Sequence, residues 1–324
     1  MLMIAQARLA CQERPPPLPK ARKVCYDGEN PLTEAAMLYL SRFTFPEAER
    51  ESAFFIHEVK RTCYDTYYPF GVLSGRELSA LEFEPVTILY GGNGSGKTTA
   101  LNVIAEKLGL RRDARYNRSS FYEDYLRLCD AETRGTIPPE SRVITSDDVF
   151  DYMLDLRAIN EGVDQRREEL FSEYLRDKDP RNPFRYRTME DYEQLRRVNL
   201  ARRKTQSQYV RTRLNDNLRE QSNGESAYFC FTSRIQENAL YLLDEPENSL
   251  APARQMELTR FLEDSVRFYG CQLIIATHSP FLLAMRGARI YDLDSTPVCR
   301  RRWTELPAVR AYHDFFQQHE SEFD

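Results

Sequence analysis

A glycine-rich stretch around Lys97 constrains the fold of this chain more than any other feature. The fixed positions of the phosphate-loop pattern G-x-x-x-x-G-K-[ST] are occupied by Gly91, Gly96, Lys97 and Thr98. Glycines allow such a loop to direct its backbone N–H groups at phosphate oxygens. We expect Lys97 to reach the β- and γ-phosphates of a nucleotide and the Thr98 hydroxyl to bind Mg²⁺. The residues of this loop predicted to bind the nucleotide are Gly91, Gly92, Asn93, Gly94, Ser95, Gly96, Lys97, Thr98 and Thr99.

The segments on either side of the loop indicate a strand and a helix. Val86–Tyr90 is the kind of short apolar run that forms a buried strand. Apolar side chains recur at helical spacing from Thr98 to about Leu108, and the positive end of such a helix would lie under the bound phosphates. The sequence therefore predicts an α/β fold of the P-loop NTPase kind.

Two acidic residues follow a second apolar run, Ala239–Leu243. A strand aimed at the nucleotide would bring Asp244 close to Mg²⁺ and Glu245 close to the attacking water, where Glu245 is a candidate general base. Two solvated acids at a strand end are the simpler explanation of this pair alone. The phosphate loop upstream favours the metal and base roles.

A histidine follows a third apolar run, Leu273–Ala276. Single histidines are usually structural, but ligands of open α/β sheets bind at the carboxyl ends of the parallel strands. His278 lies at such an end and could bind the γ-phosphate, as a third catalytic residue beside Lys97 and Glu245.

A helix is predicted over Ala227–Ile235, after the segment Ser222–Glu225. Ser222 followed by Glu225 is a capping box, in which the two side chains satisfy free N–H groups of the first helical turn. The same helix start could also bind an anion, and the two roles are compatible.

Composition divides the chain into four parts. Residues 1–50 are predicted to form an N-terminal arm, and residues 51–154 the first part of a nucleotide-binding core. Residues 155–221 are polar, rich in arginine and nearly free of glycine, which predicts a helical lobe inserted into that core. Residues 222–324 are predicted to complete the core and to add a C-terminal tail.

Shorter patterns indicate further elements. Ala53–Lys60 and Leu81–Glu84 have the character of strands, which predicts an antiparallel sheet that leads into the phosphate-loop strand. Arg142–Thr145 is predicted to be a short strand. Helices are predicted at Leu32–Leu40, Tyr122–Leu128 and Ala311–Phe316.

The middle of the predicted lobe is strongly basic. Residues Arg181–Arg213 contain ten lysines and arginines against Glu190, Asp191 and Glu193, in a chain whose net charge is −5. A solvated helical surface and a docking surface for nucleic acid or an acidic partner are both compatible with this patch.

Seven cysteines are scattered along the chain, and none forms a C-x-x-C pair. This favours reduced thiols over a disulfide framework or a zinc site. The apolar runs are far shorter than the about 20 residues that a membrane span requires. We therefore expect a cytoplasmic protein with no membrane segment.

Four motifs occur in the order typical of one ATPase superfamily. Gly-x-x-Gly-x-Gly-Lys-Thr, Ser-Asn-Gly-Glu, Leu-Leu-Asp-Glu-Pro-Glu and Ala-Thr-His-Ser-Pro together resemble an ABC-type ATPase head. The acid after the proline, Glu247, resembles the SMC/RecF-like branch, since transporters usually have threonine there. The stretch Ser222–Leu293 closely resembles small stand-alone bacterial ATPases of the AAA-domain, ABC-ATPase-like kind. Relatives of these occur as ATPase subunits in anti-phage defence systems, where they are paired with a nuclease.

This resemblance implies an ABC-ATPase-like core with a mixed central sheet, an antiparallel N-terminal sheet and a helical lobe. It also implies ATP and Mg²⁺ as ligands, and a head-to-tail homodimer that closes around two ATP molecules. Each ATP would lie between the Lys97 loop of one subunit and Ser222 and Gly224 of the other. Closure and hydrolysis would then gate an effector protein, such as a nuclease, or nucleic acid.

Three positions depart from the pattern of the superfamily. The signature motif is usually Leu-Ser-Gly-Gly-Gln, whereas this chain has Ser222-Asn-Gly-Glu, so only Ser222 and Gly224 carry over. The D-loop usually ends in aspartate, where this chain has Ala251. The glutamine that normally binds Mg²⁺ has no clear counterpart, and Asp147 is the candidate substitute. An aromatic that stacks on adenine is also expected upstream, for which the candidates are Tyr67, Tyr68 and Phe70.

Two other functions fit parts of this pattern. One is the nucleotide-binding subunit of a membrane transporter, against which the missing glutamine and Glu247 argue. The other is a scaffold that binds ATP without hydrolysing it, against which Glu245 and His278 argue.

Overall fold

Two sheets and the helices around them are seen in the structure, a computed structural model that describes residues 37–57, 64, 66–179, 181, 191–214 and 223–323. The strands are β1 (Leu40–Thr44), β2 (Ala80–Glu82), β3 (Val86–Tyr90), β4 (Asp130–Thr133), β5 (Arg142–Thr145), β6 (Leu240–Asp244), β7 (Gln272–Thr277), β8 (Arg289–Asp292) and β9 (Cys299–Arg300). The helices are α1 (Ala48–His57), α2 (Lys97–Leu108), α3 (Tyr122–Leu128), α4 (Ser146–Lys178), α5 (Tyr192–Arg203), α6 (Gln206–Arg211), α7 (Asn223–Arg234), α8 (Pro252–Tyr269), α9 (Pro280–Leu283) and α10 (Pro307–Gln318).

The larger sheet is almost entirely parallel. Its order is β5-β6-β7-β3-β8-β9, and only the β8–β9 pair is antiparallel. Every residue of β3, β6 and β7 is buried, which is why the sequence shows these strands as nearly continuous apolar runs. The predicted P-loop α/β fold with a mixed central sheet is confirmed, as are the predicted strands that became β3, β5, β6 and β7.

The smaller sheet is antiparallel, in the order β2-β1-β4. It confirms the predicted antiparallel sheet, and Leu81–Glu84 overlaps its strand β2. The predicted strand at Ala53–Lys60 is wrong, because residues up to His57 belong to the helix α1; residues 58–60 lie outside the described part of the chain. Glu51 and Phe54 are buried one helical turn apart, and this spacing outweighs the local apolar run at 54–56.

The residues before position 50 contribute to the core of the structure. Leu40 and Phe43 on β1 are fully buried, and Phe45 follows them into the same cluster. Leu40 begins β1, so the helix predicted at Leu32–Leu40 is wrong at its end, while residues 32–36 lie outside the described residues.

The predicted helices at Tyr122–Leu128 and Ala311–Phe316 are confirmed as α3 and as the middle of α10. Pro307 occupies the first turn of α10, where its missing N–H group is not needed. None of the helices in the described part of the chain combines the length and the apolar character that crossing a bilayer needs.

The chain divides into two compact units. Among the described residues, one contains residues 37–150 and 223–323, and the other contains the residues from 151 to 214. The described part of the second unit is helical, with most of α4 followed by α5 and α6. Its own small core consists of Leu170, Tyr174, Ala201, Tyr209 and Val210. The predicted domain boundaries stay predictions.

Gln272 joins the two sheets through side-chain hydrogen bonds. Its amide oxygen accepts from the backbone N–H groups of Tyr39 and Leu40 at 2.8 and 2.9 Å, and its amide nitrogen donates to the Leu40 carbonyl at 2.8 Å. The side chain is fully buried on β7. A polar residue is therefore required at the start of this largely apolar strand, because backbone groups at the start of β1 depend on it.

We expect Gln272→Leu to lower the free energy of unfolding by about 3 kcal/mol or more, since three buried backbone groups lose their partners at about 1–3 kcal/mol each. Urea unfolding would measure the change. Gln318→Leu, at an exposed position of α10, is the matched control and should have little effect. A loss below about 1 kcal/mol in Gln272→Leu would contradict this role of the side chain.

Candidate nucleotide-binding site

A tight turn joins β3 to α2 and contains the glycines of the phosphate-loop pattern. A Cβ atom on Gly91 would lie 2.5 Å from the Ser95 Oγ, which is closer than any real contact. Gly96 has a φ of +96°, a conformation that residues with side chains rarely adopt. Both positions therefore require glycine. The exposed part of the turn consists of Gly92, Asn93 and Gly94.

Lys97 is folded into this turn and is almost fully buried. Its Nζ donates to the carbonyl oxygens of Gly91 at 2.7 Å and Gly92 at 3.0 Å. The Oε1 atom of Glu245 lies 3.8 Å from the same nitrogen. The ammonium group is thus held inside the loop, where a bound phosphate could exchange with these oxygen partners.

Thr98 connects the loop to the end of β6. Its hydroxyl donates to the Asp244 Oδ1 at 3.2 Å, a contact between residues that are 146 positions apart. A hydroxyl and a carboxylate fit Mg²⁺, which prefers oxygen ligands and keeps several waters when protein ligands are few. The pair could therefore hold Mg²⁺ beside the loop.

The Asp244 carboxyl is buried close to other carboxylates. The pKa of Asp244 is raised to about 6, mainly by burial and also by the nearby charges of Glu245 and Glu247. The Thr98 hydrogen bond and the Lys97 charge act in the opposite direction. The negative charge is thus costly in the absence of a cation, and a bound cation would relieve that cost.

Glu245 has a left-handed backbone conformation, with a φ of +47°. For a residue with a side chain this costs about 1–3 kcal/mol. Its N–H group donates to the Ala276 carbonyl at 2.9 Å, and its Oε2 accepts from the Asn248 Nδ2 at 3.0 Å. These bonds hold the carboxylate between Asn248 and Lys97, while a quarter of the side chain stays exposed.

His278 follows the end of β7, with about half of its side chain exposed. Its Nδ1 lies 3.4 Å from the Oε1 of Glu247, a buried side chain. Glu247 also accepts from the N–H groups of His278 and Ser279 and from the Thr277 hydroxyl. In the sequence, Glu247 stands out only as the acid that separates two branches of a superfamily, and no pattern there indicates its contact with His278.

Asp147 and its neighbour Asp148 have different environments at the start of α4. Asp147 is exposed, two residues past the end of β5, and its role as a magnesium ligand stays a prediction. Asp148 is buried, accepts from the N–H groups of Thr145 and Ala114, and pairs with Arg234 at 3.3 Å. Asp148 therefore stabilises the turn from β5 into α4.

The residues predicted to cover the nucleotide of a second subunit are only partly described. Ser222 lies outside the described residues. Gly224 is in the first turn of α7, the helix predicted at Ala227–Ile235. Their contact with a nucleotide stays a prediction.

The aromatic candidates for adenine stacking differ in their contacts. Phe70 stacks on Phe54 with ring centroids 5.0 Å apart and is buried, so it belongs to the core. Tyr68 donates its hydroxyl hydrogen to the Thr99 Oγ1 at 3.2 Å and remains partly exposed. Tyr68 is therefore in direct contact with the helix that follows the phosphate loop.

Asp294 contacts the phosphate loop, although no motif indicated it. This exposed residue follows β8, and its Oδ2 accepts from the Gly92 N–H group at 2.8 Å. A carboxylate thus accepts from one of the loop amides that the sequence predicts to bind phosphate.

Comparison with known proteins identifies one family model. The family, described as "AAA domain, putative AbiEii toxin, Type IV TA system", matches residues 211–284. The matched stretch includes Asp244, Glu245 and His278 but not the Lys97 loop. This match confirms the resemblance to ABC-ATPase-like AAA proteins. No curated protein matches the sequence.

Solved structures show distant similarities. An SMC head bound to the C-winged helix domain of ScpA has 15% identity over 69% of this chain and 92% of that chain, with a TM-score of 0.37. A part of an ABC transporter complex from Clostridium perfringens has 16% identity over 88% of this chain and 95% of that chain, with a TM-score of 0.35. A nucleotide-free ATP-binding cassette from an ABC transporter has 14% identity over 72% of this chain and 90% of that chain, also with a TM-score of 0.35.

Because the pKa of Asp244 is raised, the difference in free energy of unfolding between wild type and Asp244→Asn should depend on pH. The folded carboxyl binds its proton more tightly than the unfolded one, so its contribution to stability is present below about pH 4 and is lost as the pH rises through about 6. Without Mg²⁺ and nucleotide, the free energy of unfolding of Asp244→Asn relative to wild type should therefore rise by up to about 3 kcal/mol between these pH values.

Urea unfolding at a series of pH values would measure this difference. Asp314→Asn, at an exposed position, controls for the loss of one charge. A stability difference that does not change with pH would contradict the raised pKa.

Proposed function

We propose that this chain is an ATPase that binds Mg²⁺–ATP at the Lys97 loop and hydrolyses ATP with Glu245 as the general base. The observation that supports this most is the meeting of two distant segments. Thr98 bonds Asp244 at 3.2 Å, and Lys97 lies 3.8 Å from Glu245. Phosphate-binding, metal-binding and base groups are therefore within contact of one another, as phosphoryl transfer requires.

Each side chain has a distinct task in this proposal. Lys97 leaves the carbonyl oxygens of its own loop and binds the β- and γ-phosphates. Thr98 and Asp244 would hold Mg²⁺, which would neutralise phosphate charge. Glu245 accepts a proton from the attacking water, and His278 binds the terminal phosphate from the end of β7.

We further propose that the active form is a homodimer with two ATP molecules at its interface. The resemblance to ABC-type heads supports this, because it sets Ser222 and Gly224 of one subunit against the nucleotide of the other. ATP would favour the closed dimer through its higher affinity for that state, and hydrolysis would reopen it.

The output of closure is proposed to be the gating of an effector. The description of the matched family names a toxin system. The resemblance carried by Ser222–Leu293 adds ATPase subunits of anti-phage defence systems, which are paired with a nuclease. In the helical lobe, Arg196, Arg202 and Arg203 are exposed on α5 and available to an acidic partner or nucleic acid. Arg197 is half-buried beside Asp177 and stays out of this surface.

Glu245→Gln should bind ATP but hydrolyse it at least about 100-fold more slowly, the scale of a lost general base. Lys97→Ala should lose nucleotide binding, because the charge that faces the phosphates is removed. Calorimetric titration and phosphate release would measure the two effects. Normal turnover by Glu245→Gln would contradict the assignment of the base.

The dimer is tested best in the slow Glu245→Gln background. Light scattering should show a dimer with ATP and a monomer without it. Lys97→Ala in the same background should stay monomeric, and Ser222→Arg should bind ATP without dimerising. A Glu245→Gln protein that stays monomeric with saturating ATP would exclude the sandwich arrangement.

A further inference from the structure

One buried side chain connects the loop after β6 to the loop after β7. The Oε1 atom of Glu247 accepts from the Thr277 hydroxyl at 2.6 Å, from the His278 N–H group at 2.9 Å and from the Ser279 N–H group at 3.2 Å. Glu247 lies two residues after Glu245, so the segment that carries the proposed base is tied to the one that carries His278.

A second side chain connects the same two loops without contacting His278. Gln255, in the first turn of α8, donates to the Leu250 carbonyl at 2.9 Å and accepts from the Ser279 hydroxyl at 2.7 Å. The two loops would therefore remain joined in the absence of Glu247. This makes Gln255 a natural comparison for any role of Glu247 beyond joining them.

A neutral side chain would be enough to connect the two loops, so this connection does not explain the negative charge of Glu247. Burying a carboxylate is costly unless it is well hydrogen-bonded, and a neutral amide could accept the same N–H groups. One oxygen of Glu247 takes all three bonds, while Oε2 has no hydrogen-bond partner among the residues that the structure describes. The carboxylate therefore keeps acceptor capacity on its second oxygen.

One of the two ring nitrogens of His278 faces the Glu247 carboxylate. Nδ1 is 3.4 Å from the Glu247 Oε1, which is long for a hydrogen bond, as catalytic contacts often are before the substrate binds. A carboxylate in this position favours a proton on Nδ1 and fixes the orientation of the ring. The opposite edge, with Nε2, is then left to face a nucleotide.

We infer that Glu247 is a positioning residue, which holds the backbone of His278 and orients its ring so that Nε2 meets the terminal phosphate. This inference rests on the proposed ATPase function. With nucleotide bound, the ring would lie between two anions and would donate to Glu247 through Nδ1 and to the phosphate through Nε2. Glu247 thus acts on hydrolysis through His278, without touching ATP.

The kinetic test is a double-mutant cycle between Glu247 and His278. We expect Glu247→Ala to lower kcat about 100-fold, the cost of a displaced catalytic group, with ATP affinity changed by less than about threefold. His278→Ala should lose a similar amount, and the double variant should lose no more than the worse single variant, because both changes remove one interaction. Gln255→Ala should keep most of the turnover, and Glu247→Gln should recover part of it through its remaining amide oxygen.

Two kinetic outcomes would overturn the inference. One is a double variant whose fold-loss of kcat equals the product of the two single losses, because Glu247 would then act independently of His278. The other is an equal loss of turnover in Gln255→Ala, which would reduce Glu247 to a general connection between loops.

A second measurement needs no ATPase activity. The chain has four histidines, so their ring nitrogens can be resolved by NMR of ¹⁵N-histidine-labelled protein, with His278→Gln identifying the signal of interest. At about pH 8 in nucleotide-free wild type, the proton of His278 should be on Nδ1, and in Glu247→Ala it should move largely to Nε2. A proton on Nε2 in wild type would overturn the inference whether or not the protein hydrolyses ATP. Absence of turnover in wild type would instead reject the proposed function.

Discussion

The parallel register of β3, β7 and β6 is the constraint on which the candidate site depends. Tyr90, the last residue of β3, is paired with Thr277 at the end of β7, and Ala276 is paired with Asp244 at the end of β6. The three strands therefore stop at the same edge of the sheet, and the loops that follow them meet there. A shift of one residue in this register would separate Thr98 from Asp244 and turn buried side chains to the wrong face of the sheet.

The strands that could be predicted best from sequence are those buried on both faces. Val86–Tyr90 and Leu273–Ala276 have nearly continuous apolar runs because helices and loops cover both faces of the sheet. Strand β4 was missed, because Asp130–Thr133 is short, polar and largely exposed. The apolar run inside Ala53–Lys60 had the composition of a strand, but these residues form a helix whose buried Glu51 accepts hydrogen bonds from Gly71 and Ser74, contacts that the local run does not encode.

The same distinction applies to the site. A motif with fixed spacing identified Lys97 and Thr98, and the position after a strand identified Asp244 and Glu245. Such local patterns carry no information about a contact such as Asp294 with Gly92, which joins residues 202 positions apart. Glu247 could be seen in the sequence, but its bonds to the loop after β7 depend on how two strands lie side by side.

Glu245 combines two requirements at one position. Its backbone has the left-handed conformation that turns the chain away from β6, and its side chain is the proposed base. Glycine would remove the backbone strain but would also remove the carboxylate, whereas most other residues with a side chain keep the strain. Substitution at this position therefore cannot improve the stability of the turn without changing the chemistry of the site. The strain in the Glu245 backbone lowers the stability of the protein for as long as the acid is kept there.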